Sequence, residues 1–235
     1  MKLETKDLLT GDEISNKEFL ELIDFSIKLK EENKTVKGKQ LLENKTLAML
    51  FEKPSTRTRV SFETGMKQLG GHTIILSLNE MQHSRGESVE DTAKTLSGYV
   101  DGIVARVYEH SFIEDLAKHA TVPVINGLSN SYHPCQTLAD FMTIKEHKKK
   151  FKDLKIAWIG DGNNVCNSLI FGCSKTQTDI VIATPKGFEP NPEVVKKASE
   201  NTTIDLTTDP ESAVKDADIV MTDTFTSIHT SDPKR

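Results

Sequence analysis

Apolar runs of strand length and apolar patterns of helical period alternate along almost the whole 235-residue chain, and no other feature restricts the fold as much. Ser15 and Glu18 form a capping box, after which Phe19, Leu22, Ile23, Phe25, Ile27 and Leu29 follow at near-helical spacing. Residues 46–51 read as a strand. Val60, Phe62, Met66 and Leu69 then mark a helix that Gly70-Gly71 ends. Further strands are expected at 73–78, 102–107 and 122–125, with helices starting at Ser88 and spanning 112–120. A long helix follows from His133 to about Lys150, its basic end matching the C-terminal preference for cations. The pattern restarts with strands at 155–159, 179–184 and 217–222 and a helix over 164–174. Pro192 and Pro210, behind Asn191 and Asp209, open two more helices. Alternating elements imply parallel strands joined by right-handed crossovers. The expected fold class is α/β: two doubly wound parallel-sheet domains, residues 1–150 and 151–235, with the active site in the cleft between them.

One turn in this frame is chemically dense. Phe51-Glu52-Lys53-Pro54-Ser55-Thr56-Arg57-Thr58-Arg59 carries the chain from a strand into a helix N-terminus. Pro54 breaks the strand, and the first helical turn gathers hydroxyls, guanidinium groups and unpaired backbone N–H groups. Free amides and the positive dipole end point the same way, and arginine forks suit phosphate oxygens. Capping alone accounts for Ser55 or Thr56, but not for cations at the helix end that disfavours them. Arg59 has a second reading, as the partner of Glu63 one helical turn on. Three more spots lie at or beyond the ends of expected strands, where open α/β sheets bind ligands. They are Gln82 in the polar loop 79–87, Arg106, and His133-Pro134-Cys135-Gln136 at the head of the long helix. Alone, each is a loop amide, a surface charge or a helix-end histidine. With the anion turn they would surround one phosphate-bearing ligand.

Composition removes other classes. A net charge of −5 with mixed signs gives no support for nucleic-acid or membrane binding. No apolar run approaches the roughly 20 residues that cross a bilayer, and the charged N-terminus lacks an apolar signal region. Cys135, Cys166 and Cys173 are too few and wrongly spaced for a disulfide framework or a zinc site, so a reducing, cytoplasmic setting is expected.

The Phe51-to-Glu63 stretch, Arg106 and His133-Pro134-Cys135-Gln136 together resemble the aspartate/ornithine carbamoyltransferase family. Gly160-Asp161-Gly162-Asn163-Asn164-Val165, Asp223 with Ser227 four residues on, and Cys135 inside its motif resemble the ornithine branch. The resemblance implies transfer of the carbamoyl group of carbamoyl phosphate to the δ-amine of L-ornithine, giving L-citrulline and phosphate, an arginine-biosynthesis or urea-cycle type of step. It implies that Ser55, Thr56, Arg57 and Thr58 hold the phosphate, and that Arg106, His133 and Gln136, with Thr58, surround the carbamoyl group. It implies that Gln82 reaches a neighbouring subunit's site in a homotrimer or a multiple of trimers. Asn164, Asp223, Ser227 and Ile228 would hold ornithine. Arg106, His133 and Thr58 are the right donor types for the oxyanion that develops on the carbonyl. No covalent enzyme intermediate, metal or organic cofactor is required.

Two departures temper this. Ser227-Ile228-His229 stands where the family has Ser-Met-Gly, which keeps putrescine, acetylornithine and aspartate open as second substrates. The chain ends at Arg235, before the family's His-Cys-Leu-Pro segment and last helix. A C-terminally truncated chain with an incomplete second domain and weak or no activity by itself is therefore expected. A non-catalytic regulator that binds carbamoyl phosphate is the competing non-enzyme reading. A dinucleotide site at Gly160-Asp161-Gly162 is disfavoured, because Val165 occupies the third glycine position and no acidic residue ends the next strand.

Overall fold

The computed structural model describes residues 3–35, 40–82 and 86–224. The chain forms two units: Met1–Ile14 with Asp24–Ser129, and Ser15–Ile23 with Asn130–Arg235. In the first unit, β1 (Thr46–Phe51), β2 (His72–Ser77), β3 (Gly102–Arg106) and β4 (Val124–Leu128) make one parallel sheet in the order β2-β1-β3-β4. Between them run α2 (Thr56–Gln68), α3 (Val89–Ser97) and α4 (His110–His119). Residues 47–51 of β1 and 103–105 of β3 are unbroken buried apolar runs, as a sheet covered on both faces requires. Alternate residues of β1 serve opposite cores. Ala48 and Leu50 join Ile103, Ala105, Ile113 and Leu116, whereas Met49 and Phe51 join Met66 and Val104.

β4 starts later than the 122–125 expected from apolar residues. Pro123 cannot donate to a ladder, so the strand begins behind it and runs through Asn126-Gly127, a pair with turn composition. Asn126 is tolerated in the buried sheet because its Nδ2 donates to the Leu9 carbonyl at 2.7 Å. At Gly127 a Cβ would sit 3.1 Å from Val104, so the register shift between Ala105 and Arg106 occurs beside a tight spot.

The second unit repeats the scheme. β5 (Lys155–Ile159), β6 (Asp179–Ala183), β7 (Ile204–Thr207) and β8 (Ile219–Met221) form a parallel sheet ordered β7-β6-β5-β8. The helices are α5 (Pro134–Lys148), α6 (Asn164–Thr176), α7 (Pro192–Ala198) and α8 (Pro210–Val214). β7 has no counterpart among the expected strands. It is a four-residue edge strand with Leu206 half-exposed, and so lacks the apolar run by which the inner strands are recognised.

The compact units divide at 129/130, with α5 in the second. Gly172 on α6 shows how closely α5 packs there. A Cβ there would meet Phe141 at 2.3 Å and Thr137 at 2.7 Å, so α5 lies unusually close to α6. The long helix α1 (Asn16–Thr35) contributes its first turns to the second unit, where Phe19 meets Phe141 edge-on at 5.5 Å. Its capping box forms as expected: Glu18 accepts from the Ser15 amide at 2.8 Å, and the Glu18 amide donates to Ser15 Oγ at 3.2 Å. Among the described residues no helix is long and apolar enough to cross a membrane.

Candidate active site

Both sheets have a point at which the direction of strand addition reverses. In the first, the chain leaves β1 for β2 on one side and returns to β3 on the other. In the second, it runs from β5 out to β6 and β7 and returns to β8. Loops at the carboxyl ends of such strand pairs diverge and leave a ligand-sized gap. Several of the residues singled out by sequence sit at these two points: Ser55 to Thr58 follow β1, Arg106 ends β3, Asn164 follows β5, and Asp223 follows β8.

At the first point, Arg106 Nη1 donates to Thr58 Oγ1 at 2.9 Å. That bond occupies one lone pair of the hydroxyl and leaves its proton to be given elsewhere. Arg106 is partly buried, and its pKa is held below the usual guanidinium range, first by that burial and then by the charge of Arg57. Two cations thus lie close enough to repel. Among the described residues neither Arg57 nor Arg106 forms an ion pair with a carboxylate. Ser55 occupies the N-cap position of α2 without a side-chain capping bond, and no acidic residue stands in the first turn. Arg59 separates from this group. Its Nε pairs with Glu63 at 3.2 Å, one helical turn on. Two guanidinium groups, a donor hydroxyl and an uncapped helix end are groups suited to holding an anion.

Gln82 is exposed, its carbonyl accepting from the Glu87 amide at 3.2 Å. Its loop neighbours His83, Ser84 and Arg85, together with Ser227, Ile228 and His229, lie outside the described residues.

In the second unit, His133 is the N-cap residue of α5, and its amide is fixed by donation to Ser168 Oγ at 2.8 Å. Burial pushes the Cys135 thiol up to about 12, so it is protonated at neutral pH and no nucleophile. Gln136 Nε2 donates to Asp140 Oδ1 at 2.9 Å. Asp140 is half-buried, and its carboxyl is pushed up to about 6 by burial and by Asp223, against the lowering effect of the Gln136 bond.

Asp223 Oδ2 accepts from Asn163 Nδ2 at 2.8 Å. The same Asn163 caps α6, its Oδ1 accepting from the amides of Val165 and Cys166 at 3.0 and 3.1 Å. Asn164 is buried beside it. Gly162 is required by packing: a Cβ there would lie 2.0 Å from the Pro190 nitrogen. Gly162 therefore serves the loop 188–190, and Gly160 serves a left-handed backbone at φ +138°, so each has a structural reason other than a dinucleotide cradle. Two residues of this cluster, Asn163 and Asp140, were not among the candidates. Asp140 was legible as the residue four positions after Gln136 on a helix, whereas the tie from Asn163 to Asp223 spans 60 residues and left no local signal.

The Asp140 pKa makes a stability prediction. A carboxyl with a folded-state value of about 6 and a reference value of 3.8 favours folding fully below pH 3.8 and loses that contribution as pH rises through 6. Above pH 6 the ionised group is a net cost. Asp140→Asn is expected to stabilise the protein at pH 8 by about 1–3 kcal/mol and by much less at pH 4, read from urea unfolding at both values.

Comparison with known proteins places these clusters in a family frame. The carbamoyl-P binding domain of aspartate/ornithine carbamoyltransferase matches residues 6–146, and the Asp/Orn binding domain of the same family matches residues 152–235. An ornithine carbamoyltransferase of Cenarchaeum symbiosum is 57% identical over 235 residues, covering 100% of this chain and 77% of that protein. One from Bacillus thuringiensis is 51% identical over 97% of this chain and 72% of its own length. The ornithine carbamoyltransferase structure from Pyrococcus furiosus superposes with a TM-score of 0.93 at 48% identity, covering 97% of this chain and 74% of that one. The Thermus thermophilus structure gives 0.88 at 42% identity, over 94% and 75%.

Proposed function

The chain belongs to the aspartate/ornithine carbamoyltransferase family, and from that premise we propose that it transfers the carbamoyl group of carbamoyl phosphate to the δ-amine of L-ornithine, yielding L-citrulline and phosphate. The observation that carries the reading is the pair Arg57 and Arg106, mutually repelling and without a carboxylate partner among the described residues, with Thr58 bonded between strand ends. A dianionic phosphate relieves that repulsion. Ser55, Thr56, Arg57 and the N-terminus of α2 take the phosphate; Arg106, Thr58, His133 and Gln136 take the carbamoyl group. All of them fall within the stretch matched by the carbamoyl-P binding domain.

The chemistry follows from donor types. The neutral δ-amine attacks the carbamoyl carbon, a C–N bond forms, and negative charge grows on the carbonyl oxygen. Arg106 and the Thr58 hydroxyl donate to that oxygen, each such donor contributing about 3 kcal/mol to the transition state. The C–O bond to phosphate then breaks, the departing phosphate takes up the amine proton, and Arg57 with the helix dipole stabilises the charge that remains on it. For ornithine, the Asp223 carboxyl group, oriented by Asn163, suits the α-ammonium, and the Asn164 amide suits the α-carboxylate. Relatives at 50–57% identity that bear the ornithine name support that second substrate. The reading extends to a homotrimer, with exposed Gln82 offered to a neighbouring copy, to the cytoplasm, and to a step of arginine biosynthesis.

Carbamoyl phosphate supplied separately with ornithine, aspartate, putrescine and acetylornithine tests the reading, with phosphate release and carbamoylated product both measured. Product from ornithine at least about a hundredfold faster than from the others is expected. Preference for aspartate, or saturable carbamoyl phosphate binding with no product from any amine, would overturn it.

A further inference from the structure

Resting on the function proposed above, we infer that Glu52 is a positioning residue for Arg106: its side chain completes the β1/β3 ladder beyond the end of β1 and so sets the direction in which Arg106 leaves the sheet. All the residues concerned belong to the first unit. The two strands pair in parallel as far as Phe51 and Arg106, and the Glu52 amide then donates to the Arg106 carbonyl at 3.0 Å. In a parallel ladder the next rung would run from the Tyr108 amide to the Glu52 carbonyl. β1 has ended by then, and the turn toward α2 has begun. The Tyr108 amide donates to the Glu52 carboxylate, at 2.6 Å from Oε2. A side-chain oxygen thus stands in for a backbone one.

This bond bears on Arg106 because the other side of β3 is irregular. The β3/β4 register shifts between Ala105 and Arg106, and the next hold from β4 is on Val107, whose amide donates to the Leu128 carbonyl at 3.0 Å. From the β1 side, Glu52 grips residues 106 and 108. Lys53 adds to that grip, its Nζ lying 4.0 Å from the centre of the Tyr108 ring. From the backbone so fixed, Arg106 Nη1 reaches Thr58 Oγ1 at 2.9 Å, on the helix that follows β1. The contacts close a ring, running from Glu52 through residues 106–108 and the Arg106 side chain to Thr58, then back along the chain to Glu52. Opening the ring at Glu52 loosens the base of the guanidinium that is proposed to meet the substrate oxygen. An error of about 1 Å in such a group can lower the rate about a hundredfold. The bond needs an acceptor at glutamyl reach; a negative charge beside an anion site is no help to the ligand.

The test is steady-state carbamoyl transfer to ornithine by the wild type, Glu52→Gln, Glu52→Asp and Glu52→Ala, with Glu52→Asp repeated in the Arg106→Ala background. Glu52→Gln keeps an acceptor at the same reach without the charge, whereas Glu52→Asp keeps a carboxyl group one methylene short. The glutamine variant is expected within about threefold of the wild-type kcat, the aspartate variant to lose at least about tenfold, and the alanine variant about a hundredfold. The loss should fall on kcat more than on KM for carbamoyl phosphate, because the proposed phosphate contacts at Ser55 to Arg57 are untouched. In the Arg106→Ala background, Glu52→Asp should lower kcat by no more than about twofold further. If the alanine variant fails to fold, the glutamine and aspartate variants still decide. A purely structural role would lower the melting temperature and leave kcat of the folded protein unchanged, and a role for the charge would make glutamine the poorer replacement. Either result, or an undiminished loss in the Arg106→Ala background, overturns the inference and leaves the proposed function standing. A wild type without carbamoyl transfer overturns both.

Discussion

Arg106→Ala is expected to lower kcat for carbamoyl transfer about a thousandfold, the cost of removing a principal oxyanion donor from a partly buried site. The effect should exceed that of Thr58→Ala, because on the proposed reading the guanidinium donates to the substrate oxygen, and it also holds the Thr58 hydroxyl in place at 2.9 Å. Arg57→Ala should divide differently between the kinetic constants. Its charge meets a phosphate that is present in ground and transition states alike, so KM for carbamoyl phosphate should rise about a hundredfold, with a smaller fall in kcat. Arg59→Ala serves as the contrast. It has the same chemistry two residues away, but its side chain is committed to Glu63, and KM should stay within about twofold. Steady-state kinetics on the four variants check the ranking. Equal losses for Arg57 and Arg59 would show that the turn acts as diffuse positive charge rather than as an assembled site. The repulsion between Arg57 and Arg106 adds a signature: without ligand, Arg57→Ala should melt no lower than the wild type, since its removal relieves Arg106.

Asp223→Ala is expected to raise KM for ornithine by about 10²–10³, with carbamoyl phosphate binding retained. The carboxyl group follows β8 by two residues, is held by Asn163 Nδ2 at 2.8 Å, and lies near enough to Asp140 to raise that group's pKa. Two carboxylates sharing one neighbourhood form a negative patch that a cationic ligand neutralises. Asp223→Asn keeps the shape and the Asn163 contact while losing the charge, so it should recover little of the lost affinity. Near-wild-type ornithine KM in either variant would place the α-ammonium elsewhere.

Much of this arrangement was visible in the sequence because it rests on local chemistry. The strand run at 46–51, the capping box of Ser15 and Glu18, the turn from Ser55 to Thr58, and the pairing of Arg59 with Glu63 are each decided within a few residues, and each is present in the fold. What stayed hidden depends on partners far along the chain. β7 is a strand because β6 pairs with it, not because Ile-Asp-Leu-Thr insists on it. Asn126-Gly127 lies in a strand because Leu9 satisfies the asparagine and Val104 excludes a side chain at the glycine. The strand orders, which bring the β1 and β3 ends together in one sheet and the β5 and β8 ends together in the other, are likewise topological facts that no local pattern carries. α5 shows the same limit. The helix and its basic end were legible, but its close packing on Gly172 of α6 was not.

The central claim is that one chain carries a carbamoyl phosphate site and an ornithine site that act together. The most direct measurement compares two bisubstrate analogues by calorimetry, a phosphonoacetyl group joined to the δ-nitrogen of ornithine and the same group joined to the nitrogen of aspartate. The ornithine conjugate should bind at least about a hundredfold more tightly than the aspartate conjugate, with that advantage lost in Asp223→Ala and both conjugates weakened in Arg57→Ala. Equal affinity for the two conjugates, or tighter binding of the aspartate one, would contradict it.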